Sequence, residues 1–292
     1  MSSGEHPRGH SPQPPARLSA ILAGVLIAIA AANIWPLLLF NFGALLGAIT
    51  EIAFLALFIW WAQGGGPPLS LHTARIDAFR RVALSSGEML WGVFAALSFA
   101  VTVHSSIVLL FRFIPYPTAA FRQGYDLSFI PNQQMRWLAA VISAASAAIC
   151  EETGFRGFLQ QPLESRYGMP VAVLTSSLLF MALHLTKSWA LMGMVPIVFG
   201  AGVLLGLIAW SAQSLIPGMI GHFVMDVGLF AYWWTGIAGK FRQRPISETG
   251  VDRSFLITSF VFATSLLVVL IAILRLRQKR QVLNKGVSQG GT

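Results

Sequence analysis

The chain has 292 residues, 55% of them hydrophobic and 11% charged, with a net charge of +9. Soluble domains carry about 25% charged residues, so this composition excludes an ordinary soluble protein and gives an all-α, polytopic membrane helix bundle. The basic residues are scattered rather than interleaved with aromatics on one face, which argues against a nucleic-acid partner. They suit loops that face anionic lipid.

Residues 1–17, MSSGEHPRGHSPQPPAR, read as a disordered polar tail. The apolar run from Leu18 passes through IWPLLLF, longer than a signal-peptide core, and reads as an uncleaved first span. A span needs about 20 apolar residues. Eight segments meet or approach that: 18–40, 43–63, 87–111, 136–160, 170–186, 190–212, 215–236 and 254–274. Together they make one transmembrane domain over 18–276, followed by a basic tail over 277–292.

An even span count puts both ends on one side. The cluster RLRQKR at 275–280 argues that this side is cytoplasmic and that the tail meets anionic lipid. That side holds eleven Lys and Arg residues against eight on the other, a small bias in the same direction. The expected location is therefore the plasma (inner) membrane, multi-pass, with both termini cytoplasmic. Cys150, the single cysteine, excludes an intrachain disulfide. It reads as a small packing residue.

Ionisable residues inside spans are costly and point to function. Glu51 and His104 stand alone and are expected to line a cavity or pair with each other. Glu88 and Lys187 lie near span ends, within reach of the interface. Tyr232, Trp233 and Trp234 read as an interfacial aromatic belt.

The stretch CEETGFRGF, from Cys150 to Phe158, is denser in charge. Neighbours on a helix point about 100° apart, whereas residues four apart share a face. The spacing pairs Glu152 with Arg156 and leaves Glu151 aimed elsewhere. A network that only fixes helix packing is the plainer reading, but an extra unpaired carboxylate is expensive to bury. Further on, FMALH puts Phe180 and His184 on one face, and GHFVMD does the same for His222 and Asp226. Two histidines and two carboxylates can activate water, or can offer N and O donors to a divalent metal such as zinc.

EETGFR, FMALH and HFVMD, in that order on three late spans, resemble the EExxxR, FxxxH and HxxxN/D motifs of the CPBP intramembrane proteases. That family includes the type II CAAX prenyl endopeptidases and bacteriocin-related bacterial proteins. The resemblance covers about 85–240. It implies Glu151 as general base acting with His184 on water, and His222 and Asp226 at the oxyanion or in metal chemistry. Glu152, Arg156 and Phe180 would be supports. Asp226 stands where the prenyl endopeptidases have Asn, and an ionised carboxylate cannot donate to an oxyanion. It would then be protonated, bind a metal, or orient His222.

The expected activity is hydrolysis of a peptide bond in a membrane-associated, prenylated or lipid-proximal substrate, near the membrane–cytosol boundary. The alternatives are a proton-coupled transporter using the same residues as a relay, and a non-catalytic membrane scaffold.

Overall fold

The structure, a computed structural model, describes residues 18–41, 44–80, 83–123, 125–239 and 244–289. The expected disordered tail over 1–17 lies outside the described residues. The rest is helical. The elements are α1 (Leu18–Asn41), α2 (Ala44–Ala62), α3 (His72–Ala78), α4 (Ser86–Phe113), α5 (Thr118–Arg122), α6 (Gln133–Glu151), α7 (Gln160–Tyr167), α8 (Met169–His184), α9 (Val195–Ala212), α10 (Ile216–Gly228), α11 (Ile246–Thr249) and α12 (Arg253–Gln289). Three π-helical segments join them: Glu152–Leu159 after α6, Ala190–Met194 before α9, and Leu229–Trp234 after α10.

Local sequence explains the starts of these helices. Ser85 and Glu88 form a reciprocal capping box at the head of α4. The Asn132 side chain accepts from the backbone N–H groups of Gln134 and Met135 at the head of α6. Pro170, Pro196 and Pro217 occupy first turns, where a missing N–H costs nothing.

Among the described residues, six stretches are long and apolar enough to cross a membrane: Leu18–Leu38, Leu45–Ala62, Ser86–Phe113, Gln133–Tyr167, Ala190–Ala212 and Arg253–Gln281. The count of eight is not reached on length, because α8 has only 16 residues and α10 only 13. α8 is short because it stops at His184. The chain then turns through Leu185–Trp189 and kinks at Met192 and Gly193, the latter at φ 88°. Irregular backbone at this depth is tolerated where it lines a cavity.

The π segment Glu152–Leu159 sits at the centre of the packing. α1 lies against it with almost no side-chain spacing. A Cβ on Gly24 would strike the carbonyl of Phe158, and one on Gly154 would come within 2.9 Å of Ala28 Cα. On another side α3 closes in, where a Cβ on Gly157 would meet the Ala78 carbonyl. Small residues at membrane helix contacts allow such approach.

Several expected lipid-facing cations are instead part of the bundle. Arg75 is enclosed by the carbonyls of Trp61, Gly64, Gly65, Gly66 and Pro68. Arg80 bonds Glu164 and the Ala209 carbonyl. Arg280 pairs with Glu88 at 2.9 Å and donates to the carbonyls of Ala212 and Ala83, while Arg277 lies over the Trp210 ring. The basic tail therefore begins as a packed helix, because Arg280 finds acceptors at the C-terminal end of α9 and in the link before α4. At the opposite end of α12, Arg112 pairs with Asp252 at 3.0 Å and holds that carboxylate below its usual range.

Glu51 and His104 do not pair. Glu51 is buried facing the Ser143 and Ser146 hydroxyls, and His104 bonds the Met225 carbonyl and the Trp233 indole. The expected aromatic belt is also corrected. The π turn at Leu229–Trp234 swings Trp233 and Trp234 inward, and Tyr232 alone of the three faces out.

If Gly154 sets the α1 approach, Gly154→Val should lower stability by about 1–3 kcal/mol through overpacking. Thermal unfolding in detergent would register this, and an unchanged Tm would mean that α1 is free to shift.

Candidate active site

α6 ends on Glu151, and the π segment begins with Glu152. π turns are rare and cluster at functional sites. Arg156 Nη1 donates to Glu152 Oε1 at 3.0 Å, the pair that the spacing predicts. The guanidinium also donates to the Gly202 carbonyl of α9 at 3.2 Å and lies 4.6 Å from the centre of the Phe180 ring of α8. One buried cation thus ties two helices, α8 and α9, to the motif.

The same Glu152 oxygen accepts from His222 Nδ1 at 2.9 Å. The other imidazole nitrogen, Nε2, faces Asp226 Oδ2 at 3.5 Å and Glu151 Oε2 at 3.8 Å. The expected division of labour is therefore incomplete. The two glutamates do point apart, but an imidazole has two faces to offer, and each glutamate meets a different nitrogen. Glu152 supports Arg156 and orients His222 at once. Gly218 makes room for it: a Cβ there would lie 3.2 Å from Glu152 Oε2.

His184 is the last residue of α8. Its Nδ1 lies 2.8 Å from the Phe180 carbonyl. A carbonyl only accepts, so Nδ1 carries a proton and the neutral ring presents its lone pair at Nε2. Phe180 packs on this ring with centroids 4.5 Å apart and contacts His222 edge-on at 6.2 Å.

Two cavities meet at Glu151 and His184. One, of about 60 Å³, is an apolar chamber that also contains His222, Asp226 and Phe180, walled by Val103, Ile107, Met194 and Leu229. The other, of about 190 Å³, is a more polar cleft with Asn33, Tyr125 and Lys187. Trp35 and Tyr125 line both. The structure thus brings Glu151, His184, His222, Asp226 and Phe180 to one chamber and sets Glu152 and Arg156 directly behind it.

Trp35, Tyr125 and Lys187 were not among the residues expected at the site. Lys187 carried the one available signal, three residues beyond His184. Tyr125 sits in a loop that dips back into the bundle, and Trp35 precedes the proline inside α1. Neither placement is written in a local pattern. Cys150 is buried with Ala31, Trp35 and Ala147, as a packing residue should be.

Among the described residues, no group of three or more His, Cys, Asp or Glu side chains is spaced to hold an ion. His222 Nδ1 is taken up by Glu152, and the donor set as it stands does not fit a metal.

The cleft is lined by Lys187 and Tyr125 from loops and by Trp35 from α1. Ser188 bonds Ala120 there, and Tyr116 bonds Trp233. Arg280, Ala212 and Ala83 gather at the other end of the bundle, where Gly24 of α1 meets Phe158. The start of α1 and the packed part of α12 around Arg280 therefore lie toward the end of the bundle away from Lys187 and Tyr125.

The fold is an all-α membrane bundle with two glutamates and two histidines around a buried chamber. Residues 133–228 match the family model described as type II CAAX prenyl endopeptidase Rce1-like. The match takes in every motif residue from Glu151 to Asp226. It supports a CAAX-type intramembrane protease in general. No curated protein and no solved structure matches the chain.

Removing Arg156 would leave the Glu152 carboxylate short of its buried counter-charge. Arg156→Ala should cost about 3 kcal/mol or more. Glu151→Gln, which breaks no buried ion pair shorter than 3.8 Å, should change stability little. Parallel melting curves of the two variants check the contrast.

Proposed function

We propose that this chain is an intramembrane endopeptidase in which Glu151 and His184 activate water directly. The observation that carries this reading is the pair of unmatched acceptors at the junction of the two cavities. Glu151 has no cationic partner closer than 3.8 Å, and His184 Nε2 is left available by the Nδ1 bond to Phe180. A water held between them would be oriented by both and deprotonated by one.

The steps then balance without a covalent enzyme intermediate. Glu151 takes a proton from water as its oxygen attacks the scissile carbonyl carbon. The tetrahedral oxyanion forms in the chamber, where a His222 N–H at Nε2 donates to it. Glu151 returns the proton to the leaving nitrogen as the C–N bond breaks. Glu152 fixes the orientation of His222 from behind, and Asp226 flanks the same nitrogen without having to donate. This gives Asp226 a role that does not need the amide of an Asn.

The substrate class follows from the walls. The chamber is apolar and lies within the bundle, which suits a membrane-associated, lipid-proximal peptide. A prenylated substrate would agree with the name of the matched family.

Glu151→Gln and His184→Ala should each lower kcat by about 10²–10⁴-fold while the protein still inserts and melts as wild type. Activity of wild type should survive exhaustive chelation in detergent. Full activity of Glu151→Gln would defeat the mechanism. Loss on chelation with recovery on adding zinc would defeat its metal-free form.

A further inference from the structure

His104 is an ionisable residue inside a span that the proposed reaction does not use. It lies on α4, outside the chamber, in a groove lined by Val101, Val108, Val224, Gly228 and Ile257. Both of its ring nitrogens are taken. Nε2 lies 3.1 Å from the Met225 carbonyl, and the Trp233 indole N–H donates to Nδ1 at 3.3 Å. A carbonyl only accepts and an indole N–H only donates, so Nε2 carries the proton and Nδ1 presents its lone pair. Gly228 gives the ring its place, because a Cβ there would strike Nε2.

The two partners stand on either side of a change in the backbone. Met225 belongs to α10, and Trp233 to the π segment Leu229–Trp234 that follows it. Bonds in a π turn run from i to i+5 rather than i to i+4. A return to α geometry would turn each later side chain by about 100°. In the observed turn Leu229, Phe230, Ala231, Trp233 and Trp234 are buried and Tyr232 is exposed. Met225, Asp226, Leu229 and Trp234 all line the chamber, so the kind of turn decides which side chains complete its wall. π turns are rare, and His104 supplies two bonds from outside the helix, one on each side of the change.

Resting on the protease reading above for its effect on catalysis, we propose that His104 is a positioning residue. By spanning Met225 and Trp233 it selects the π turn, and that turn sets Asp226 and Trp234 in the chamber wall. His104 stands outside the chamber and acts through α10.

The test uses the full-length protein in detergent with a quenched, membrane-associated peptide. His104→Ala should lower kcat by about ten- to a hundredfold, as a misplacement of about 1 Å does, and leave KM within about threefold. His104→Gln, whose amide N–H still reaches Met225, should recover most of kcat. Gly228→Ala drives a methyl into the place of the ring and should match His104→Ala. The double variant should lose no more than either single one, because both remove the same contact. Wild-type kcat in His104→Ala overturns the proposal. So do equal losses in His104→Gln and His104→Ala, or additive losses in the double variant.

A measurement of the turn itself separates this proposal from the protease reading. Trp233 and Trp234 are 3% and 6% exposed, so a rotation uncovers them. Quenching of tryptophan fluorescence by a brominated detergent should rise in His104→Ala. The rise should be absent when Trp233→Phe and Trp234→Phe are added. Gly228→Ala should raise quenching too, which keeps the test decisive should His104→Ala fail to fold. Raised quenching supports the selection of the turn even if no peptide is cut. Unchanged quenching in folded His104→Ala or Gly228→Ala protein overturns it.

Discussion

A single carboxylate oxygen, Glu152 Oε1, accepts hydrogen bonds from Arg156 and from His222 at 3.0 and 2.9 Å. Much of the molecule is arranged around that atom. Charge-assisted bonds of this kind are shorter and stronger than neutral ones, and inside the bundle no water competes for them. Through Arg156 the oxygen reaches α8 and α9, and through His222 it reaches α10. Glu152 thus sets the separation of the helices that carry the other motif residues.

That junction needs space, and the sequence supplies it with glycine. Gly218 clears room beside Glu152, and Gly154 lets α1 lie backbone to backbone against the π segment. Polar satisfaction and close packing support each other here. The ion pair is enclosed by α8, α9 and α10, while α1 and α3 pack on the segment's glycines, Gly154 and Gly157. The cost of burying such charges explains why the pair and its third partner occur as a set.

Much of this was legible in the sequence, and the reasons differ by residue. Membrane insertion followed from composition. The Glu152–Arg156 and His222–Asp226 pairs followed from helical spacing, which survives a local π turn. What failed was anything decided by tertiary position. Spacing along one helix cannot show that His222, seventy residues on, would take Glu152 at one nitrogen and face Glu151 with the other. The π turn at Leu229–Trp234 has no composition signal, so Trp233 and Trp234 read as interfacial when they are buried. Lys187 looked like a cation reaching for the interface, because its cleft is built from α1, α8 and a loop far apart in sequence. Arg280 looked like part of a lipid-binding tail for the same reason: its acceptors lie on α4, α9 and their neighbours.

The placement of the termini has a topological outcome of its own. α1 enters and α12 leaves at the end where Arg280 is locked to Glu88, and the cleft opens at the other. On the protease reading proposed above, a substrate would reach Glu151 and His184 from the end of the bundle away from the Arg280–Glu88 lock, or sideways between helices.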